Sequence, residues 1–265
     1  MRWLPLSPEA AEQYCSDIPV EEQINLLHLY LKQHLDEIRA LYEEGRGHTY
    51  LEILLFSLLD TLGSVTSNSS KGGGQRIREF VEKLEEYSEL CRYSVPALLH
   101  VIDPDSSDML SRLRQRCQEL FELHFEPGCL PEICMDLSAE EIKSLIGTIT
   151  VLRKNNPKVE LCQCSHSRML ASKRNSLVHQ LVRKGLRSSW NRPIPHYVWI
   201  GSDHASNTPD NWDIVYPVQY LIKLCDYGLS FACGYLRDNN IRPYSALVRS
   251  SSWLSDKQKA GSWLE

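Results

Sequence analysis

Three polar residues, Arg174, Asn175 and His179, have the types and the spacing for chemistry on a phosphate ester. A histidine exchanges protons near neutral pH, and an arginine can donate two parallel hydrogen bonds to phosphate oxygens. On a helix of about 3.6 residues per turn, Asn175 and His179 share one side. The stretch therefore predicts a helix that carries a proton-transfer group (His179), a phosphate-binding group (Arg174) and an orienting amide (Asn175).

The apolar residues of this predicted helix, 165–185, define the face that it buries. Leu177 and Leu181 fall within about 20° of Leu170, and Arg174 lies roughly 40° from Leu170. The stem of Arg174 is therefore expected at the edge of the apolar stripe. Its head either reaches water by extending past that edge or pairs with a carboxylate.

Asp60 is the carboxylate that fits the second alternative. It lies in an apolar segment, 49–64, which is predicted to form a helix buried on most sides. A lone carboxylate there would be costly, so it must be paired, be protonated or lie at the surface of the helix. A pair between Asp60 and Arg174 would aim the guanidinium, and it gives Asp60 a supporting role.

The region from Leu161 to Ser202 has no acidic residue and seven basic ones, although the chain as a whole has a net charge of −5. The remainder of the chain therefore carries −12. Such a basic segment predicts a positive face suited to phosphate backbones, although a solvated helix paired with acidic neighbours is an alternative. The residues expected to bind RNA here are Lys173, Arg183, Lys184 and Arg187.

Two other groups of potential metal-ligating or catalytic residues are weaker candidates for a site. Cys162 and Cys164 precede His166, but structural zinc sites prefer two or more residues between cysteines, so reduced thiols are the better interpretation. A set formed by His196, Asp203 and His204 lies near a predicted hairpin, and these residues are interpreted as surface side chains. We expect no metal and no cofactor.

The periodicity of apolar residues predicts a mainly α-helical single domain of residues 1–265, with a core over about 20–245 and a loosely held tail over 250–265. A small extended insert, interpreted as a β-hairpin of two short strands, is expected within 192–216. Ser138 and Glu141 have the spacing of a capping box. Helices are predicted over 20–44, 49–64, 76–93, 108–125, 138–152, 165–185 and 218–239.

The composition is that of an ordinary soluble protein, with 42% hydrophobic and 24% charged residues among 265. We see no run of about 18 apolar residues and no signal peptide, so a cytoplasmic protein without a membrane span is expected. Nine cysteines without framework spacing agree with a reducing compartment.

The sequence Arg174-Asn175-Ser176-Leu177-Val178-His179 resembles the R-x4-6-H motif of the HEPN superfamily. The apolar segment 56–63, with Asp60 embedded in it, is similar to the second helix of that family. Residues 212–217 before a long helix, and 242–244 after it, resemble an uncharacterised bacterial HEPN-like group. The resemblance covers roughly residues 20–244.

This resemblance implies an antiparallel helical bundle that forms a homodimer, with the two motif helices building one cleft near the dimer axis. It implies a metal-independent RNA endonuclease in which Arg174, Asn175 and His179 are catalytic, and which leaves a 2′,3′-cyclic phosphate and a 5′-OH. It also implies a setting in toxin–antitoxin or antiphage defence, with an antitoxin or defence-system protein as partner. The alternative is a non-catalytic HEPN module that binds RNA, a nucleotide or a protein.

Overall fold

The computed structural model describes residues 18–45, 48–67, 73–102, 108–147, 150–151, 159–180, 192–202 and 206–243. The protein is mainly helical, and two small antiparallel sheets accompany the helices. Its helices are α1 (Val20–Glu43), α2 (His48–Thr66), α3 (Gly73–Val81), α4 (Val95–Val101), α5 (Asp108–His124), α6 (Ala139–Ile146), α7 (His166–Gln180) and α8 (Val218–Asp238).

The sheet near the C-terminus consists of β3 (His196–Trp199) and β4 (Trp212–Val215), which pair antiparallel with His196 opposite Val215. This pair confirms the small extended insert predicted within 192–216. The other sheet, β1 (Thr150–Val151) with β2 (Val159–Glu160), was not predicted, because two-residue strands carry no measurable alternation.

The described residues fall into two compact units, one within residues 1–80 and 222–265 and the other within 81–221. In the first unit, α1 and α2 pack against each other. Helix α1 buries the stripe expected from its periodicity, and α2 is buried on most sides, as its composition predicted. The fully buried residues of α2 are Leu51, Leu55, Phe56, Leu59 and Leu62.

Helices α2 and α3 come into close contact at Gly63. A Cβ atom at this position would lie 2.8 Å from the carbonyl oxygen of Arg76, which is closer than non-bonded atoms approach. The missing side chain therefore lets the two helices approach each other. This contact also brings Arg76 to the side of α2 on which Asp60 lies.

In the second unit, α4, α5 and α6 pack in sequence, and α7 follows β2. Ser94 caps the start of α4 by accepting a hydrogen bond from the backbone of Ala97. The predicted capping box is confirmed at α6, where Ser138 and Glu141 bond to each other's backbone.

Two predicted helix ends are wrong. The helix predicted over 76–93 stops at Val81 and is followed by a 3-10 helix, Glu85–Cys91. The helix predicted to run to 152 stops at Ile146, because Gly147 adopts a left-handed conformation with φ of 69° and closes it. In both segments the apolar spacing continues past the end of the hydrogen-bonded helix, so periodicity overestimates the length.

Helix α2 also meets a length and composition criterion for crossing a membrane, over Thr49–Thr66. Of this window, 61% is buried inside the protein, and the core helix of a soluble protein passes the same test. The finding is weak evidence, and the cytoplasmic location stays a prediction.

Candidate active site

The motif residues lie on α7, in the second unit. Leu170 and Leu177 are fully buried, which confirms the described part of the predicted apolar stripe. Helix α7 extends through position 179. The side chain of His179 lies outside what the structure describes, and so do Leu181 of the stripe and the basic residues Arg183, Lys184 and Arg187.

Arg174 and Asn175 are joined by a hydrogen bond. Nη1 of Arg174 donates to Oδ1 of Asn175 over 3.1 Å, and the Nε atom of the same guanidinium is buried. The arginine is therefore half-buried at the edge of the apolar stripe, as its wheel position predicted, while Asn175 is exposed. Because a guanidinium has five N–H donors, this bond orients it and still leaves capacity for further acceptors.

Asp60 forms an ion pair within its own unit. Nε of Arg76 donates to Oδ1 of Asp60 over 3.1 Å, and the two side chains are only 14% and 16% exposed. Sequence reasoning missed Arg76 as a partner for this carboxylate. The predicted pair between Asp60 and Arg174 would join residues of different units and stays a prediction.

A buried carboxylate, Asp136, fixes the first residue of α7. His166 is completely buried, and its Nε2 lies 2.7 Å from Oδ2 of Asp136. The hydroxyl of Tyr197 donates to the same oxygen over 2.7 Å, and the backbone N–H of Val95 donates to Oδ1 over 2.8 Å. Three groups from α4, α7 and β3 thus converge on one carboxylate.

The backbone around His166 is held in the same way. Its N–H donates to the carbonyl of Arg92 over 2.9 Å, and its carbonyl accepts the hydroxyl of Tyr216 over 3.1 Å. Burial, together with the charge of Asp136, raises the pKa of Tyr197 and of Tyr216 well above the usual value, so both hydroxyls remain protonated donors. Since this network is closed to solvent, its role is to position α7.

Ser167 adds a further attachment at the start of this helix. Its hydroxyl donates to Oε1 of Glu82 over 2.8 Å and also contacts the hydroxyl of Ser165 at 3.1 Å. No sequence motif signals Glu82 or Asp136 as a partner of this helix start, because each lies tens of residues earlier in the chain.

An open cleft of about 330 Å³ lies between α7 and β4. The α7 side carries Arg168, Ser172 and Lys173, and the β4 side carries Asp213 and Ile214. The ammonium of Lys173 lies 5.7 Å from the centre of the Tyr216 ring, a cation–π distance. Lys173, predicted to bind RNA, is therefore placed beside a cleft by the fold.

His196 is fully buried, so its interpretation as a surface residue is wrong. Its Nδ1 donates to the carbonyl of Ile194 over 2.8 Å, which leaves Nε2 unprotonated in the neutral ring. Burial lowers the pKa of His196, and the positive charges of Arg192 and Lys173 lower it further. The other two members of that set, Asp203 and His204, lie outside the described residues.

Burial changes the acidity of one thiol near the motif helix. Cys164 is buried, and burial raises its pKa to about 12, so it stays protonated at neutral pH. Within the part of the chain that the structure describes, no group of three or more His, Cys, Asp or Glu side chains is arranged to hold a metal ion.

Comparison of the chain with models of protein families, with curated proteins and with solved structures finds no match.

Replacing Tyr197 by Phe tests the buried network. The variant removes one donor from Asp136 and leaves the buried carboxylate less satisfied, which typically costs about 1–3 kcal/mol of unfolding free energy. Denaturation in urea measures this cost, and Tyr30→Phe is the control because Tyr30 is 53% exposed. The control should change stability by less than about 0.5 kcal/mol. Equal stability of the two variants would contradict the positioning role of the network.

A second prediction concerns pH. Because folding lowers the pKa of His196, the unfolded chain binds more protons than the folded protein below the usual histidine pKa of about 6.5. The unfolding free energy should therefore fall as pH drops from neutral through that value. His196→Asn keeps an N–H donor near the Nδ1 position and does not titrate, so its pH dependence should be flatter. Parallel curves for the two proteins would exclude this contribution of His196.

Proposed function

We propose that this protein is a metal-independent RNA endonuclease of the HEPN type, with its catalytic groups on α7. The observation that carries the proposal is the Arg174–Asn175 hydrogen bond of 3.1 Å on a helix that also includes position 179. An oriented guanidinium and a histidine position one turn further along are the two kinds of group that cleavage through a 2′-OH needs.

The reaction uses the nucleophile that RNA itself carries. His179 accepts the proton of the 2′-OH while the 2′-oxygen attacks phosphorus, and the bond between phosphorus and the 5′-oxygen breaks. The departing 5′-oxygen takes a proton from a general acid. The products are a 2′,3′-cyclic phosphate and a 5′-OH, and no water or metal enters the bond-breaking step.

Arg174 stabilises the charge that develops on the non-bridging phosphoryl oxygens. Its planar guanidinium donates paired hydrogen bonds, which suit a phosphate better than a lysine ammonium does. Asn175 holds one Nη atom of this guanidinium and leaves its own amide N–H groups for a phosphate oxygen or for the imidazole. The supporting role of Asp60 is a further part of the proposal, and within its own unit this carboxylate pairs with Arg76.

A homodimer would complete the site. HEPN proteins bring two motif helices together near a two-fold axis, and the resemblance extends this arrangement to the present chain. The two copies of His179 then have different roles. One is the general base that takes the 2′-proton, and the other is the general acid that protonates the leaving oxygen. Lys173, Arg183, Lys184 and Arg187 supply the positive charge that attracts the RNA backbone.

The same resemblance suggests a cytoplasmic nuclease in toxin–antitoxin or antiphage defence, restrained by an antitoxin or another defence-system protein. An unrestrained ribonuclease harms the cell that makes it, so a partner that masks or modifies the motif is required in such a system. Growth arrest on expression, relieved by a partner protein and absent from the His179→Ala variant, is what this setting predicts.

Cleavage assays with matched variants test the catalytic proposal. The purified protein is incubated with structured and unstructured RNA in EDTA, and initial rates are measured. His179→Ala should lower the rate by roughly 10²–10⁴-fold, as loss of a general acid or base does. Arg174→Lys keeps the charge but loses the paired donors, and a drop of about 10²-fold is expected.

His124→Ala is the control, because His124 is a partly exposed histidine of the same unit that lies outside α7. It should cleave at the unaltered rate. Equal rates for the wild-type protein and His179→Ala would overturn the proposal. Tight RNA binding without cleavage by the wild-type protein would assign the chain to the non-catalytic HEPN alternative.

A further inference from the structure

The cleft between α7 and β4 has an assembly of groups that the cleavage step does not use. Its α7 wall carries two cations and a hydroxyl, namely Arg168, Lys173 and Ser172, and its β4 wall carries the carboxylate of Asp213. Gln163 also lines the cleft. Its volume of about 330 Å³ is at the lower end of the range for ligand pockets, which is about 300–1,000 Å³. The cleft therefore suits a ligand no larger than a single nucleotide.

Arg168 provides one of the two cations on the α7 wall. Among the described residues its guanidinium has neither a hydrogen bond nor an ion pair, whereas its backbone N–H contacts Ser165. The side chain is half-exposed and lines the cleft. Lys173 lies on the same wall, five residues further along, and its ammonium rests over the Tyr216 ring. Two cations along one wall form a binding place for a phosphate group.

Asp213 places a fixed acceptor on the opposite wall. Its Oδ1 accepts the backbone N–H of Ile214 over 2.8 Å, which orients the carboxylate, and Oδ2 accepts no hydrogen bond from any residue in the described ranges. Strand pairing sets this residue opposite Val198 and so fixes its place in the sheet. A carboxylate oxygen accepts hydrogen bonds from amino groups on base edges, and it repels a phosphate.

We propose that this cleft is a nucleotide subsite for the RNA substrate, with Arg168 and Lys173 on a phosphate and Asp213 on the amino group of a base. The inference rests on the proposed function and adds to it a preference for certain bases at one nucleotide of the RNA substrate. Adenine, cytosine and guanine carry amino groups, and uracil does not. The subsite therefore discriminates against uridine.

Helix geometry gives the distance from this subsite to the catalytic position. Ser172 and position 179 are seven residues apart on α7, so they are about 10 Å apart along the axis and within about 20° around it. Stacked nucleotides rise by about 3.4 Å each, so this separation corresponds to about three nucleotides. The discriminated base is therefore expected about three nucleotides from the cleaved bond.

Binding measurements test the subsite without requiring cleavage. The probe is a fluorescent single-stranded RNA with 2′-O-methyl groups throughout, which blocks the nucleophile. Arg168→Gln should weaken binding roughly tenfold, as expected when a charged hydrogen bond is lost, and it should lower the salt dependence by about one phosphate contact. Arg112→Gln is the matched control, because Arg112 is an exposed arginine of the same unit outside the cleft.

The base preference is measured with probes that differ only by uridine or cytidine at single positions. The wild-type protein should prefer cytidine at one position. Asp213→Asn replaces the acceptor Oδ2 with an N–H donor, so this preference should vanish or shift toward uridine, whose O4 accepts. Cleavage of natural RNA by Arg168→Gln should show a raised KM with kcat unchanged.

Equal affinities of Arg168→Gln and Arg112→Gln, or an Asp213→Asn protein with an unaltered base preference, would overturn the subsite. Polyglutamate that binds as tightly as the RNA probe would point to an acidic protein partner and also overturn it. A protein that binds RNA in an Arg168-dependent way but cleaves no RNA would contradict the proposed nuclease activity. The same result would support the cleft as a nucleotide site.

Discussion

The contact between His166 and Asp136 is the interaction on which the candidate site depends. It is 2.7 Å long and closed to solvent, and it fixes the point at which α7 begins. A buried carboxylate is tolerated only when hydrogen bonds replace its water, and Asp136 receives them from Tyr197 and Val95 as well. Leaving such a buried group without one of its partners typically costs about 1–3 kcal/mol, so the start of the motif helix is held firmly.

From that fixed start, the regular rise of the helix determines where the functional groups lie. Each residue advances about 1.5 Å and turns about 100°, so Arg174 falls at the edge of the core, about 40° from Leu170. Arg168 and Lys173 line the cleft. Leu170 and Leu177 hold the apolar side of the helix in the core. One helix thus carries the cations of the proposed nucleotide cleft and the proposed catalytic motif, and the distance between them along α7 does not depend on a loop.

Local sequence patterns predicted those features that are determined locally. The periodicity of apolar residues predicted α1, α5, α8 and the described part of α7, and the Ser138–Glu141 spacing predicted the cap of α6. The periodicity of apolar residues gave a wrong helix end where the apolar pattern continues past the end of the helix, as after Val81. The proposed HEPN-type chemistry depends on a six-residue motif in α7, and the residues that orient this helix contribute no signal of their own.

Long-range pairs account for the features that the sequence did not predict. His166 was grouped with its neighbouring cysteines, although its partner Asp136 lies 30 residues earlier. Asp60 pairs with Arg76, which follows a glycine-rich segment, and His196 is buried although its polarity suggested the surface. A polar residue's environment is decided by which elements pack around it, and that information is absent from the spacing of residues within one helix.

The chemical structure of the RNA ends tests the central claim most directly. An RNA with a single 2′-deoxynucleotide on the 5′ side of the cleaved bond is compared with its all-ribose form, in EDTA. We expect a 2′,3′-cyclic phosphate and a 5′-OH from the all-ribose RNA, and an intact bond at the substituted position. Cleavage at the 2′-deoxy position, or products with 5′-phosphate ends, would contradict it.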